Sequence, residues 1–275
     1  ICIFTPKIAP DNIKEFATLF PSPIYARVSP FKLPNSSLRV KKSANDWHGC
    51  SRSVKAFIDG ALGSRGAALH EPYCDDAHNC GLILISKEEF SDLANLCYEN
   101  NYQLNTHAIG DRANREVLDQ YERVFNENPQ KNNDLRWRIE HAQHIDPQDI
   151  PRFGKMGVIA SIQGIHMSSD RPWAINRLGK KRIIEGAYVW RSLMDYGAIV
   201  VNGSDVPVEP INPIASFYAS VSRKTLKGNP ENGYEPNQKM TRLEALKTYT
   251  INAAYAAFEE DIKGSIEILS LIHIS

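Results

Sequence analysis

Histidine and aspartate side chains close several apolar runs of this sequence at similar points. His107 closes QLNTH, and His141 lies near the end of LRWRIEHAQ. His166 closes VIASIQGIH, and Asp205 closes AIVVNGSD. Imidazole and carboxylate groups are ligands for zinc and similar divalent ions. One histidine in such a place is more often a hydrogen-bonded structural residue. A histidine or aspartate near the end of each of four consecutive strand candidates, however, favours a metal centre.

An earlier strand candidate, SVKAFIDG, covers residues 53–60 and carries Lys55. This lysine could belong to the same site as the histidines, but a lysine beside a glycine-rich loop can also simply point to solvent. The loop itself, DGALGSRGAA, is not a phosphate-binding loop, since no GK[ST] follows it.

The elements that must position these residues alternate along the chain. Helix patterns follow the strand candidates, and Ser86 with Glu89 forms a capping box at the start of one of them. A second capping box, Thr241 with Glu244, opens the single helix that RLEALKTYTINAAYAAF predicts. The remaining helix candidates are residues 111–128, 147–157 and 189–196, and the remaining strand candidates are residues 103–107, 135–143, 158–166 and 198–205.

Alternating strands and helices with apolar strands predict an α/β fold with a buried parallel sheet. At least five such units favour a (β/α)8 TIM-type barrel over an open doubly wound sheet, and the strand ends of such a barrel converge on one face. The prediction is one domain over residues 1–268, followed by a non-native tail over residues 269–275, LSLIHIS.

Composition excludes several classes of protein. The 275 residues include 32 basic and 32 acidic side chains, a balance that indicates neither a nucleic-acid partner nor a membrane partner. Five cysteines without CxxC spacing predict free thiols in a reducing compartment. We therefore expect a cytoplasmic protein with a small-molecule substrate, and a homodimer stays open as its assembly.

Five segments together resemble the metal-dependent amidohydrolase superfamily, and within it amidohydrolase family 3, which includes N-substituted formamide deformylases. They are VKAFIDGALGSRGAAL, THAIGDRA, RIEHAQ, SIQGIHMSSD and NGSDVPVEP, and the resemblance spans residues 24–268. It implies a barrel with a metal centre of one or two ions at its C-terminal mouth. It also implies that Lys55, His107, His141 and Asp205 are the metal ligands of strands four, five, six and eight.

The chemistry of this family explains each residue type. Lys55 would become a two-oxygen ligand once carbamylated by carbon dioxide, since an ammonium group cannot bind a cation. Zinc held by His107 and His141 would activate a water molecule to hydroxide, the nucleophile. Asp205 would bind the metal, accept the proton of this water and return it to the leaving amine.

Further residues are implied near the substrate. His166 would donate a hydrogen bond to the carbonyl oxygen or the developing oxyanion, and Gly164 stands beside it where the family usually has proline. Other residues could line the pocket or support the ligands, and a purely structural role is equally open for each of them. They are Arg65, Asp111, Gln143, Arg191 and Glu209.

The superfamily carries an HxH pair on its first strand, and this sequence has none. The interpretation is a fragment whose first barrel strands and accessory β-sandwich are truncated, and which is poorly stable and inactive alone. The intact protein is expected to hydrolyse a carbon–nitrogen bond in an amide-like substrate, such as an N-substituted formamide. Two rivals are a degenerate, metal-free barrel that serves as a binding or scaffold protein, and a nucleotide-binding domain, which the absence of GxGxxG and Walker-type loops disfavours.

Overall fold

A computed structural model describes residues 53–129 and 134–266, together with the backbone of residues 26–27. The strands are β1 (Ala26–Arg27), β2 (Ser53–Phe57), β3 (Gln103–Ala108), β4 (Arg138–His141), β5 (Ile159–Ile162) and β6 (Val200–Asn202). The helices are α1 (Lys87–Glu99), α2 (Asp111–Glu127), α3 (Ile150–Met156), α4 (Gly164–Gly186), α5 (Trp190–Asp195), α6 (Pro213–Ser222), α7 (Arg242–Tyr249) and α8 (Ile251–Ala256). A short 3-10 helix covers Pro236–Gln238. The predicted tail over residues 269–275 lies outside the described residues.

The six described strands form one parallel sheet whose order follows the chain, β1-β2-β3-β4-β5-β6. In its register, Phe57 pairs with His107 and His107 pairs with Glu140. Parallel neighbours need crossover connections, and from β2 to β6 helices supply them. The α/β class and the parallel sheet are therefore confirmed, and the arrangement is consistent with a TIM-like barrel. Closure of the barrel stays a prediction.

Local signals set the helix ends. Ser86 Oγ accepts the backbone N–H of Glu89, and the Glu89 carboxylate accepts the N–H of Ser86, which confirms the first capping box. Helix α2 ends two residues before Pro129, which cannot continue a helix. Helix α3 ends at Gly157, whose φ of 66° is a left-handed conformation that glycine adopts without a steric cost.

Two predicted elements are wrong in detail. The run 158–166 is not a single strand, because β5 ends at Ile162 and α4 begins at Gly164. His166 therefore lies in the first turn of a helix rather than at a strand end. The helix predicted after Thr241 is also two helices, because Thr250 interrupts it with φ −115° and ψ −102°.

The two faces of the sheet differ in polarity. On β3, Thr106 Oγ1 lies 2.7 Å from the Tyr121 hydroxyl of α2, so this face packs against helices. Trp137 packs on the same helix, with its ring 4.7 Å from that of Tyr121. Side chains alternate along a strand, so Asn105 and His107 face the opposite side, where the buried polar groups gather. None of the described helices is both long and apolar enough to cross a membrane.

Candidate metal centre

His107 and His141 lie side by side at the ends of two neighbouring strands. Their ring centroids are 4.4 Å apart at an interplanar angle of 72°. Both residues are buried, with 9% and 6% of their surface exposed. The structure thus brings together the two histidines that the sequence predicts as ligands.

The tautomer of His141 is fixed by a neighbour after β5. Its Nδ1 lies 2.7 Å from Oε1 of Gln163, and an amide oxygen only accepts hydrogen bonds, so Nδ1 carries the proton. Nε2 therefore presents a lone pair. Burial, and then the charges of His107, Lys55 and His166, hold the pKa of His141 well below its usual range. The ring is neutral, as a ligand must be.

The backbone at two candidate ligands is strained. His141 has a φ of 77° and Asp205 a φ of 54°, in the left-handed region that non-glycine residues seldom adopt. Such conformations cost about 1–3 kcal/mol each and occur preferentially at functional sites. Both residues lie at or shortly after the carboxyl end of a strand, His141 at the end of β4 and Asp205 after β6.

Asp205 is a buried carboxyl group in this electrostatic neighbourhood. Burial raises its pKa to about 6; Lys55 and His107 lower it, whereas Glu140 raises it further. A carboxyl with this pKa can exchange a proton near neutral pH. The structure therefore places Asp205 within electrostatic reach of the other candidate ligands.

Lys55 shares the polar face of the sheet with an ion pair on β4. Its Nζ lies 5.0 Å from the centre of the Phe57 ring. Burial alone would raise the pKa of Glu140, but Arg138 and Lys55 hold it well below its usual range. Arg138 Nε donates to Glu140 Oε1 at 2.6 Å. Sequence reasoning missed Glu140, although it directly precedes His141 in RIEH.

His166 approaches the pair from the start of α4. Its ring stacks near that of His141, with centroids 5.9 Å apart. Burial, followed by the charge of His107, lowers the pKa of His166 to about 4. Its Nε2 is buried and has no hydrogen-bond partner among the described residues.

Asn202, at the end of β6, holds the first turn of α4 in place. Its Oδ1 accepts the backbone N–H of Gly164 at 2.9 Å, and its Nδ2 donates to Ser220 Oγ of α6 at 3.1 Å. A Cβ at Gly164 would lie 2.3 Å from Ser220 Oγ and 2.8 Å from the carbonyl oxygen of Ser216. Only glycine fits this position, and proline would lack the N–H that Asn202 accepts.

Three residues predicted near the substrate have different surroundings. Arg65 pairs with Asp75 at 3.1 Å, and Arg191 pairs with Glu244 and the carbonyl of Lys239. Gln143 is buried and donates to the Tyr188 hydroxyl at 3.0 Å. The first two therefore have charged partners of their own.

Other polar groups surround Gln143 and the turn after β3. Gln143 also bonds to Asp170, whose pKa is raised to about 6 by burial and by Glu209. Glu209 in turn accepts a hydrogen bond from Ser169. Asp111 accepts the backbone N–H of His70 at 2.9 Å, so it supports a turn.

The chemistry of these donors fits a divalent cation in part. His141 offers a neutral imidazole with a free lone pair, and the ring of His107 lies beside it, with centroids 4.4 Å apart. Imidazoles of this kind are the commonest protein ligands for zinc and related ions. Within residues 53–129 and 134–266, however, no three His, Cys, Asp or Glu side chains form a complete metal-binding group.

The sequence matches the amidohydrolase family over residues 27–268, so the chain belongs to this family. It is 36% identical over 247 residues to LONG AFTER FAR-RED 3 of Arabidopsis thaliana, covering 90% of this chain and 41% of that protein. It is 30% identical over 221 residues to the N-substituted formamide deformylase of Arthrobacter pascens, covering 78% of this chain and 38% of that protein. The chain thus spans about two fifths of the curated relatives it matches.

A solved structure supports the same class. The fold is similar to that of an uncharacterized metal-dependent hydrolase from Pyrococcus horikoshii, with a TM-score of 0.70 and 28% identity. The match covers 80% of this chain and 43% of that one. The family and this neighbour support hydrolytic chemistry that depends on a metal ion.

Proposed function

We propose that this chain forms the metal-binding part of an amidohydrolase that cleaves a carbon–nitrogen bond in an amide-like substrate. The observation that carries the proposal is the buried pair of His107 and His141, 4.4 Å apart, with the proton of His141 directed to Gln163. A neutral imidazole with a fixed tautomer is costly to bury unless its free nitrogen has a partner. A divalent cation is the partner that suits both rings.

His107 and His141 would hold the cation, of which zinc is the candidate, and Asp205 and a carbamylated Lys55 would be further ligands. When bound, such an ion polarises a carbonyl group and lowers the pKa of a water molecule. Asp205 is suited to take a proton from the attacking water on its carboxylate and return it to the leaving amine, because its pKa is about 6. Neutral His166 would orient the carbonyl oxygen through Nε2.

The substrate class rests on the relative named N-substituted formamide deformylase. We propose an N-substituted formamide or a related amide as the substrate of the whole protein. The same fold hosts many reactions, so the proposal of an amide substrate has less support than the proposal of a bound cation. We expect at most a trace of hydrolysis from this chain itself, because its described residues provide fewer donors than a complete metal site needs.

Cation binding is the experiment that tests the proposal. Zn²⁺ titrated into the purified chain is followed by calorimetry for the wild type, His107→Ala and His141→Ala. His78→Ala is the control, because His78 is exposed and lies on the loop between β2 and α1. We expect affinity to fall about 100-fold or more in the first two variants and to stay unchanged in the control, since each removes one direct ligand.

Equal affinity in all four proteins would overturn the proposal. Circular dichroism of each variant separates a lost ligand from a lost fold. A folded wild type that binds no Zn²⁺ would favour the rival class, a metal-free binding protein.

A further inference from the structure

We infer that Asp59 is the positioning residue that sets the ring of His107, so that His107 presents Nδ1 to the cation and its Nε2–H to the Asp59 carboxylate. The inference rests on the proposed function for the cation, and on contacts within this chain for the ring. Asp59 follows β2 by two residues and is 1% exposed.

Three backbone groups hold the Asp59 carboxylate in place. Oδ2 accepts the N–H of Ala68 at 2.9 Å and that of Gly110 at 2.8 Å, and Oδ1 accepts the N–H of Ile109 at 3.0 Å. These donors come from the loop after β2 and from the turn between β3 and α2. The carboxylate is therefore fixed against the turn that directly follows His107.

A carboxylate offers about four lone-pair directions, and the backbone donors use three of them. The remaining direction, on Oδ1, belongs to the side of the group that faces His107, whose Nε2 lies 3.4 Å away. This distance exceeds that of a well-formed hydrogen bond, and Nε2 has no such bond among the described residues. A small rotation of the ring would close the contact, as often happens when a site tightens around its ligand.

The proton on His107 follows from this neighbour. Because its three N–H donors make Asp59 an acceptor toward any further group, the nitrogen that faces it must carry a proton. That leaves the lone pair on Nδ1, and a histidine that binds a metal commonly donates its other N–H to a carboxylate. The two histidines would then use different nitrogens, Nδ1 of His107 and Nε2 of His141, which lets two rings 4.4 Å apart converge on one ion.

A purely structural role is the alternative, since Asp59 also ties two loops together. Loop stability alone would not select a tautomer of His107. The tautomer is therefore the readout that separates positioning from packing.

The first measurement uses the wild-type chain without added metal. Long-range ¹H–¹⁵N correlation of ¹⁵N-histidine-labelled protein shows which ring nitrogen of each histidine carries the proton, and His107→Gln assigns the signals of His107. We expect the Nε2–H form for His107 and the Nδ1–H form for His141. A predominant Nδ1–H form of His107 would overturn the inference.

The second measurement uses Asp59→Asn, with Asp92→Asn as the control because Asp92 is an exposed carboxylate on α1. We expect a 10–100-fold loss of Zn²⁺ affinity and a shift of His107 toward Nδ1–H in the first variant only, the size typical of a lost partner of a metal-binding histidine. Unchanged affinity and tautomer in a folded Asp59→Asn protein would also overturn the inference.

The two proposals fail in different ways. If Asp59→Asn does not fold, the wild-type tautomer still decides the role of Asp59. If the wild type binds no Zn²⁺ while His107 has the Nε2–H form, the proposed function fails and the contact with Asp59 stands.

Discussion

Nδ1 of His141 and Oε1 of Gln163 are 2.7 Å apart, so a residue that follows β5 fixes the ring of a residue that ends β4. The bond spans two neighbouring units of the sheet. It explains how a strained backbone at His141, with a φ of 77°, still presents one defined imidazole face.

Removing that bond should weaken cation binding without removing a ligand. In Gln163→Leu the imidazole of His141 loses the acceptor that selects its tautomer, and we expect Zn²⁺ affinity to fall about 10–100-fold. Gln148→Leu is the control, since Gln148 is exposed. Calorimetric titration compares the two, and equal affinities would show that Gln163 does not set the ligand.

The glycine at the start of α4 should tolerate no side chain. Gly164→Ala would place a Cβ 2.3 Å from Ser220 Oγ, and we expect the free energy of unfolding to fall by about 1–3 kcal/mol, as overpacking usually costs. Gly203→Ala is the matched control, because nothing lies within 4 Å of a Cβ there. Urea unfolding measures both variants. A Gly164→Ala protein as stable as the control would contradict the packing of α4 against α6.

The stability of the fold should depend on pH through Asp170. Its folded-state pKa is raised to about 6 by burial and Glu209, so the folded protein holds this proton more tightly than the unfolded chain, where the pKa is about 4. Its stabilising contribution is complete below about pH 4 and is lost as the pH rises through about 6.

Asp170→Asn imitates the neutral form. At pH 8 we expect this variant to be more stable than the wild type by about 1–3 kcal/mol, with the difference shrinking toward pH 4. Asp205 remains in both proteins, so its similar pH dependence cancels. Thermal or urea unfolding from pH 4 to pH 8 tests this, and a difference that does not change with pH would refute the role of Asp170.

A buried arginine should be essential for the far end of α6. Arg223 donates to the carbonyl oxygens of Tyr188 at 2.8 Å and Tyr234 at 2.7 Å, and pairs with Glu235. Arg223→Met leaves all three acceptors without this donor, and we expect the free energy of unfolding to fall by about 3–5 kcal/mol. Arg242→Met, at an exposed position, should change stability little. The unfolding free energies in urea decide, and a small loss for Arg223→Met would refute the expectation.

Local patterns predicted much of the fold correctly. The capping boxes at Ser86 and Thr241 were readable because cap and partner are three residues apart, so the signal is complete within one segment. The end of β5 could not be predicted in this way, because the apolar pattern continues beyond the strand through Ile165. The contact that starts the next helix comes from Asn202, 38 positions further along the chain.

The same distinction separates the predicted site from its supports. Candidate ligands such as His107 and His141 stand out because each lies near the end of an apolar run. Gln163 and Asp59 act through contacts 22 and 48 positions away along the chain, respectively. The carboxylate in AFIDG was the available signal for Asp59, since it comes two residues after its strand, close to where His107 and His141 lie in theirs.

The order of the strands has a consequence for how the protein is made. Neighbours in the sheet are also neighbours in sequence, from β2 to β6, and each unit adds one or two groups to the site, starting with Lys55 and ending with Asp205. During translation, the segments that carry these groups leave the ribosome in the order of their strands, with Lys55 first and Asp205 last. Both histidines are synthesised before Asp205. The full set of candidate ligands therefore exists only once the chain has been synthesised as far as Asp205.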